Sequence, residues 1–386
     1  MKNPFQFGRE LGASEIVDRA EEVAAVVETI KSGSKLFLIG PRRYGKTSIL
    51  RAAAERSEAT GAVVLSYNVE AYPTLDSLAR VILTDATARL VGNVEKAGER
   101  IRRFFSALRP EVSYSMTEGT WSASLGVEAD EQDTQVPLLI ELLDGLERLA
   151  ADVKTPVGLI LDEFQKVIEL GGKEAEGQLR AGVQRHKKVG YVFAGSKTRM
   201  LTDMTSDPAR PFYRLGSRRF IGAVPRADFT EFITKSFTDS RFKPKPEAVT
   251  LILDLAEDVP YNVQLLAHTC WEELRGVQGS TLTEEIVREG RARIVNQDDP
   301  FYTQIWNALT PTQQRALIAV VREGGTNLLS KGSTKLYRLP PSTMQRALEA
   351  LVARDILREE ETQGSVRLRF EDPFLAAWIH TVTAKN

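Results

Sequence analysis

Apolar positions fall along this chain in two rhythms. Four continuous runs, Leu36-Phe37-Leu38-Ile39, Ala62-Val63-Val64-Leu65-Ser66-Tyr67, Val157-Gly158-Leu159-Ile160-Leu161 and Gly190-Tyr191-Val192-Phe193-Ala194-Gly195, read as strands of a parallel sheet. A strand covered on both faces has no polar side to show, so its apolar residues run on without alternation. Helical stretches separate the runs. One opens at Ile16 and continues to about Lys31, with Ala24, Val27 and Ile30 on one face, and is expected on the sheet edge; others lie near 77–90 and 94–108. Strands alternating with helices specify an α/β layer structure. A different rhythm interrupts it, since residues 112–116 and 121–127 alternate at period two around Thr117-Glu118-Gly119. That predicts a β-hairpin insert at about 110–128, packed on its own core or offered to a partner, with a solvated acidic exit over 128–133.

Beyond Ser196 the two prolines Pro208 and Pro211 bracket a loop, and a short strand near 219–223 is expected to complete the sheet. From Arg226 to about Asn296 the period is helical throughout: Phe229, Phe232, Ile233 and Phe237, then Val249, Ile252 and Leu253, then Val263, Leu266 and Cys270. This reads as an all-α lid, which in a nucleotide-binding chain can cover the base and couple bound state to motion. Thr310-Pro311-Thr312-Gln313 is a cap, a proline at the first helical position and a helix start. A second helix over 341–352, with Met344, Leu348 and Leu351 inward, precedes two strands joined through Gln363-Gly364; helices followed by a two-stranded wing describe a winged helix. The expected domains are 1–223, 224–300 and 301–386.

The chemistry is concentrated where the first strand ends. Gly40-Pro41-Arg42-Arg43-Tyr44-Gly45-Lys46-Thr47 fits GxxxxGKT, a loop whose backbone N–H groups cradle phosphates ahead of a helix N-terminus. Its two glycines let the backbone turn inward, Lys46 is suited to the β and γ phosphates, Thr47 to Mg²⁺, and Ser48 continues the helix. The residues from Gly40 to Ser48 are therefore candidate nucleotide ligands, for ATP or GTP; no guanine-reading NKxD follows. The third run ends in Asp162-Glu163, a Walker B pattern: Asp162 is the candidate Mg²⁺ ligand with Thr47, and Glu163 the candidate group that polarises the attacking water, with Lys46 as its catalytic companion. Together these define an α/β fold of the P-loop NTPase kind, a three-layer parallel sheet followed by an all-α lid and a winged-helix domain. Ser196 closes the next strand, where it either senses the γ phosphate or caps the following helix.

Composition changes this picture little. The 386 residues leave room for two or three domains, and a formal net charge of −1 supplies no global pull toward nucleic acid or membrane. One cysteine, Cys270, excludes an internal disulfide framework, and three histidines draw no zinc cluster. A cytoplasmic setting is expected, with neither a signal peptide nor a membrane span at hand. The winged-helix region is only about +3, and Glu359, Glu360 and Glu361 stand beside its wing. Ser342, Thr343, Gln345 and Arg346 on its second helix are the candidate duplex-DNA contacts; the alternative is a winged helix that packs on its own core or on a protein partner.

With these residues on the page, the chain resembles the archaeal-type ATPases of the STAND branch, related to AAA+ proteins. GPRRYGKTS and LILDEFQ are similar to that family's phosphate and magnesium motifs, and Ala194-Gly195-Ser196-Lys197 to its next strand end. Val17-Asp18-Arg19-Ala20-Glu21-Glu22 resembles the family's hhGRExE element, with Asp18 in place of glycine, which implies a place for Arg19 beside the base. Pro211-Phe212-Tyr213-Arg214 resembles a Pro-Leu-Tyr-Gly-Arg stretch without its glycine. Val259-Pro260-Tyr261-Asn262-Val263-Gln264 resembles the lid pattern, and no arginine opens that helix. In a homo-oligomer Arg214, Arg218 or Arg219 is then a candidate arginine finger; otherwise these are surface arginines. The resemblance implies a nucleotide-controlled switch with ATP and Mg²⁺, the alternatives being a nucleotide-bound scaffold with negligible turnover or a DNA-loading or defence ATPase.

Overall fold

The structure is a computed structural model, and it describes residues 2–9, 12, 16–91, 97–105, 110–115, 120–125, 132–172, 174–196, 198–275, 280–362 and 365–384. The chain forms two compact units, one of residues 10–222 and one of residues 1–9 with 223–386. Residues 2–9 thus group with the helical unit.

In the first unit, strands β1 (Lys35–Ile39), β2 (Val63–Asn68), β5 (Val157–Asp162), β6 (Val189–Gly195) and β7 (Ser217–Phe220) form a five-stranded sheet in the order β2-β5-β6-β1-β7, parallel at every pairing. All six positions of β5 and all seven of β6 are buried, as their unbroken apolar runs require. Leaving one such Leu or Ile side chain in water instead would cost about 1.5–3 kcal/mol. Helices α1 (Ala20–Ser32) and α2 (Lys46–Ala59) cover one face. On the other, α3 (Leu75–Ala86), α4 (Ala97–Phe104), α5 (Gln132–Val153), α6 (Gln165–Gly171) and α7 (Ala175–Val183) close a core around Phe37, Leu65, Leu159, Leu161 and Phe193; α8 (Thr198–Ser206) follows β6.

Two expectations are corrected here. Helix α1 lies on the middle of the sheet, against β5 and β6, rather than at its edge, and buries Val23, Val26, Thr29 and Ile30 while Ala24 is exposed. Glycines make the close approach: a Cβ on Gly190 would stand 2.4 Å from the Thr29 carbonyl oxygen, and one on Gly158 2.7 Å from the Ile30 side chain. The last strand, β7, begins at Ser217 and ends at Phe220, because Ile221 already turns away after donating its N–H to the Ile39 carbonyl at 2.7 Å. The hairpin is present as β3 (Pro110–Ser115) and β4 (Thr120–Leu125), antiparallel with Tyr114 opposite Trp121, its backbone beside α3, α4 and a π-helical turn at Thr87–Val91. Its tip at 116–119 and most of its acidic exit lie outside the described residues.

The second unit opens with α9 (Arg226–Asp239), α10 (Pro246–Leu255), α11 (Pro260–Leu274) and α12 (Glu284–Gln297), and a two-residue strand pair, β8 (Lys243–Pro244) with β9 (Thr281–Leu282), interrupts the helical run. Phe5 is fully buried among them, 5.9 Å from Phe232 and 4.9 Å from Phe237 between ring centres, while Asn3 donates to the His268 carbonyl. Then come α13 (Asp299–Asn307), α14 (Pro311–Glu323), α15 (Lys331–Leu336), α16 (Pro341–Ala353), the wing β10 (Leu357–Thr362) with β11 (Ser365–Phe370), and α17 (Pro373–Ala384). Thr310 and Gln313 cap α14 reciprocally, and Met344, Leu348 and Leu351 of α16 face inward. Glu257, in the turn after α10, pairs with Arg358 at 3.4 Å and Arg369 at 3.3 Å, tying the wing to the preceding helices. Among the described residues no helix is long and apolar enough to cross a membrane.

Candidate nucleotide-binding site

The loop after β1 is shaped by two glycines with different duties. Gly40 passes so near the chain leaving β7 that a Cβ would stand 2.7 Å from the Ile221 carbonyl oxygen. Gly45 has open space beside it but a φ of 86°, a left-handed conformation glycine adopts without penalty. Helix α2 begins directly after it, and no side chain caps that end. The dipole of a helix start favours negative charge there. Lys46 is buried and donates from Nζ to the Pro41 carbonyl at 2.9 Å, which curls its ammonium back over the loop.

Strand β5 carries the carboxylates to the same place. Thr47 Oγ1 donates to Asp162 Oδ2 at 2.8 Å across 115 residues of sequence. Burial pushes the Asp162 carboxyl above the usual carboxylate range and the neighbouring Glu163 charge adds to this, against the opposing Thr47 hydrogen bond and Lys46 charge. After Asp162 the backbone turns through Glu163 at φ 54°, an unfavourable angle for a side-chain-bearing residue. Phe164 anchors that turn: its N–H donates to the Ala194 carbonyl at 2.8 Å, and its ring packs on Phe193 and Phe212.

Glu163 is thereby aimed away from the core, and three donors meet its Oε2: Gln165 Nε2, Ser196 Oγ at 2.7 Å and the Ser196 N–H at 3.2 Å. Burial alone would raise this carboxyl. The hydrogen bonds from Gln165 and Ser196, with the Lys46 charge, outweigh it and hold Glu163 below the usual range. Gln165 belongs to no motif read from the sequence; its one signal there is a polar residue opening a helix soon after a buried strand.

The donor set suits a nucleotide with a hard divalent cation. Thr47 and Asp162 offer the oxygen ligands Mg²⁺ takes, beside an uncapped helix N-terminus and a buried lysine. With Thr47 and Asp162 as its protein ligands, such a cation would share its coordination with phosphate oxygens and water.

The remaining predicted residues are distributed as follows. Arg42 and Arg43 are exposed, Arg42 pairing with Glu70 at 3.4 Å, while Tyr44 is buried in the loop and Ser48 is half-buried. Arg19 is buried and donates to the Gly222 carbonyl at 2.6 Å and to Glu22 at 3.1 Å, fastening the head of α1 to the chain beyond β7. Ser196 bonds Glu163 through both its hydroxyl and its N–H. Arg214 sits over the Tyr213 ring, Arg218 bonds Ser206, and Arg219 pairs with Glu21 at 3.4 Å, the last two from the sheet's edge strand. On α16, Ser342, Gln345 and Arg346 are exposed and Thr343 is half-buried.

A parallel sheet, a glycine loop feeding an uncapped helix, and carboxylates at the end of a neighbouring strand define a P-loop nucleotide-binding protein. Residues 30–200 match the family model described as "AAA domain", and residues 300–381 the one described as "probable winged helix domain". The chain accordingly carries a segment similar to an AAA domain ahead of one similar to a winged helix. No curated protein matches it by sequence. Among solved structures it is similar to the Walker-type ATPase of Pyrococcus abyssi, with a TM-score of 0.62 and 14% identity over 98% of this chain and 99% of that one. It is also similar to the ORC2 protein of Aeropyrum pernix in its ADPNP–ADP complexes, with a TM-score of 0.57 and 16% identity over 100% and 98% of the two chains. At these identities the likeness establishes the fold.

Proposed function

We propose that the protein binds and hydrolyses ATP, and that its nucleotide state is passed through the helical segment to the winged helix, as in a switch of the STAND branch. The observation that carries this reading is the Thr47–Asp162 hydrogen bond with Glu163 beside it. The backbone from Gly40 to Ser48 and the Lys46 ammonium hold the β and γ phosphates. Thr47 and Asp162 hold the cation, which when bound neutralises charge on the phosphate oxygens. Glu163 accepts a proton from the attacking water as its oxygen bonds to the γ phosphorus; the bond from that phosphorus to the β-phosphate oxygen breaks, releasing ADP and phosphate. Steady-state turnover tests the assignment, with Lys46→Ala as the blank. Glu163→Gln is expected to retain ATP while losing turnover, and normal hydrolysis by that variant sinks it.

For the winged helix this reading favours a protein partner over duplex DNA. A groove of about 410 Å³ between α16 and the wing has an apolar floor of Leu328, Leu348, Val352 and Leu368, flanked by the exposed Leu329 and Val366. Among its described lining residues the charged ones are Glu349 and Glu359. Carboxylates around an apolar floor repel phosphate and suit a partner segment with apolar side chains flanked by Lys or Arg. The DNA reading rests on Ser342, Thr343, Gln345 and Arg346, all on the same helix. Turnover indifferent to duplex DNA at moderate salt is expected; salt-dependent stimulation that Arg346→Glu removes would transfer the output to DNA.

A further inference from the structure

The geometry points to Gln165 as the residue that positions Glu163 for hydrolysis, an inference that rests on the catalytic role proposed above for Glu163. Gln165 opens α6 and is 2% exposed, so its amide has a single fixed environment. Its Nε2 donates to Glu163 Oε2, the oxygen that also takes both Ser196 donors. Two donors from the end of β6 and one from the start of α6 approach a single oxygen, which fixes the carboxylate in position and in rotation.

Two further features show that the amide is there for its N–H end. Gln165 Oε1 is buried and accepts no hydrogen bond from the described residues, an unfavourable state that an apolar side chain would avoid. Gly195 leaves the room the amide occupies: a Cβ there would stand 2.2 Å from Gln165 Oε1 and 2.6 Å from Leu201 Cδ1. A volume-filling role would be met by methionine beside Leu201, without a stranded carbonyl. Holding Glu163 is what methionine cannot do.

Gln165→Met therefore separates the two roles. Expected is a fall in kcat of about 10- to 100-fold, with KM for ATP and the affinity for a fluorescent ATP analogue within about twofold of the parent and an unchanged or higher melting temperature. Gly195→Ala, which displaces the amide from the other side, is expected to lower kcat in the same way. In a Glu163→Gln background, read by single turnover, Gln165→Met is expected to add nothing, because Gln165 acts only through Glu163. If Gln165→Met keeps kcat within twofold while Glu163→Gln is inactive, the positioning role is overturned and the catalytic reading stands. A further loss in the Glu163→Gln background, or a parallel fall in nucleotide affinity, likewise overturns it in favour of a structural role. Normal turnover by Glu163→Gln removes the catalytic reading itself, and this inference with it.

Discussion

At the scale of single residues, the candidate site sets stability against chemistry. Asp162 is 4% exposed and burial raises its pKa, so keeping the carboxylate charged there is unfavourable until a cation arrives. Asp162→Asn removes the buried charge and keeps a carbonyl acceptor for the Glu163 N–H that Oδ1 now takes, while the Thr47 hydroxyl can turn to accept from the new amide in place of donating to Oδ2. The expected outcome at neutral pH without nucleotide is a melting temperature raised by about 1–3 °C, together with loss of Mg²⁺-dependent turnover; a lower melting temperature would contradict the account of a strained charge. Lys46→Ala removes the ammonium over the loop, and a fluorescent ATP analogue is expected to bind at least about tenfold more weakly, since a hydrogen bond to a charged group contributes about 1.5–3 kcal/mol. Unchanged binding would show that the loop does not hold phosphate. Most of these residues were legible because motif spacing encodes local backbone geometry. Gln165 was not, because its importance lies in meeting Ser196, 31 residues further along the chain, at one carboxylate oxygen.

At the scale of elements, close approach and ion pairing decide the outcome more than propensity does. Helix α1 reaches the sheet only because Gly158 and Gly190 carry no side chains. Gly190→Ala forces a Cβ against the Thr29 carbonyl oxygen, and overpacking of this kind costs about 1–3 kcal/mol, to be read as a lower denaturation midpoint. The wing is held by Glu257, which faces the buried Arg358 and the partly buried Arg369. Glu257→Ala leaves both guanidiniums short of a partner, although Arg358 also donates to the Phe370 carbonyl and Arg369 also pairs with Glu360. A loss of about 1–3 kcal/mol is expected, with faster proteolysis at the wing, and unaltered melting would show the pair to be idle. Periodicity revealed α1 but set its buried face one residue off. Ala24, Val27 and Ile30 and Val23, Val26 and Ile30 share nearly the same helical spacing, and only the sheet beneath chooses between them.

At the scale of the whole chain, the N-terminal segment is the least expected feature. Residues 2–9 lie with the second unit, where Phe5 fills a space among Phe232 and Phe237 and Phe7 meets Tyr261 and His268. Residues 2–9 therefore share a unit with the chain from Ala223 onward, and residues 10–222 lie between them in sequence. Phe5→Ala is expected to destabilise the second unit by about 3–5 kcal/mol, the range for emptying a fully buried Phe site. An unchanged unfolding transition would mean that the segment only rests there.

What the sequence determined by itself is the chemistry carried by contiguous residues: the apolar runs of the sheet, the glycine loop entering a helix, the aspartate and glutamate at a strand end, and the capping box that starts α14. Each depends on backbone geometry over a few neighbouring residues, so it can be read locally. The tertiary structure alone decided the strand order, the seat of α1, the partner of Phe5 and the hold of Gln165 on Glu163. Those depend on which distant surfaces fit closest when apolar area is withdrawn from water, a choice among pairings that no local pattern contains.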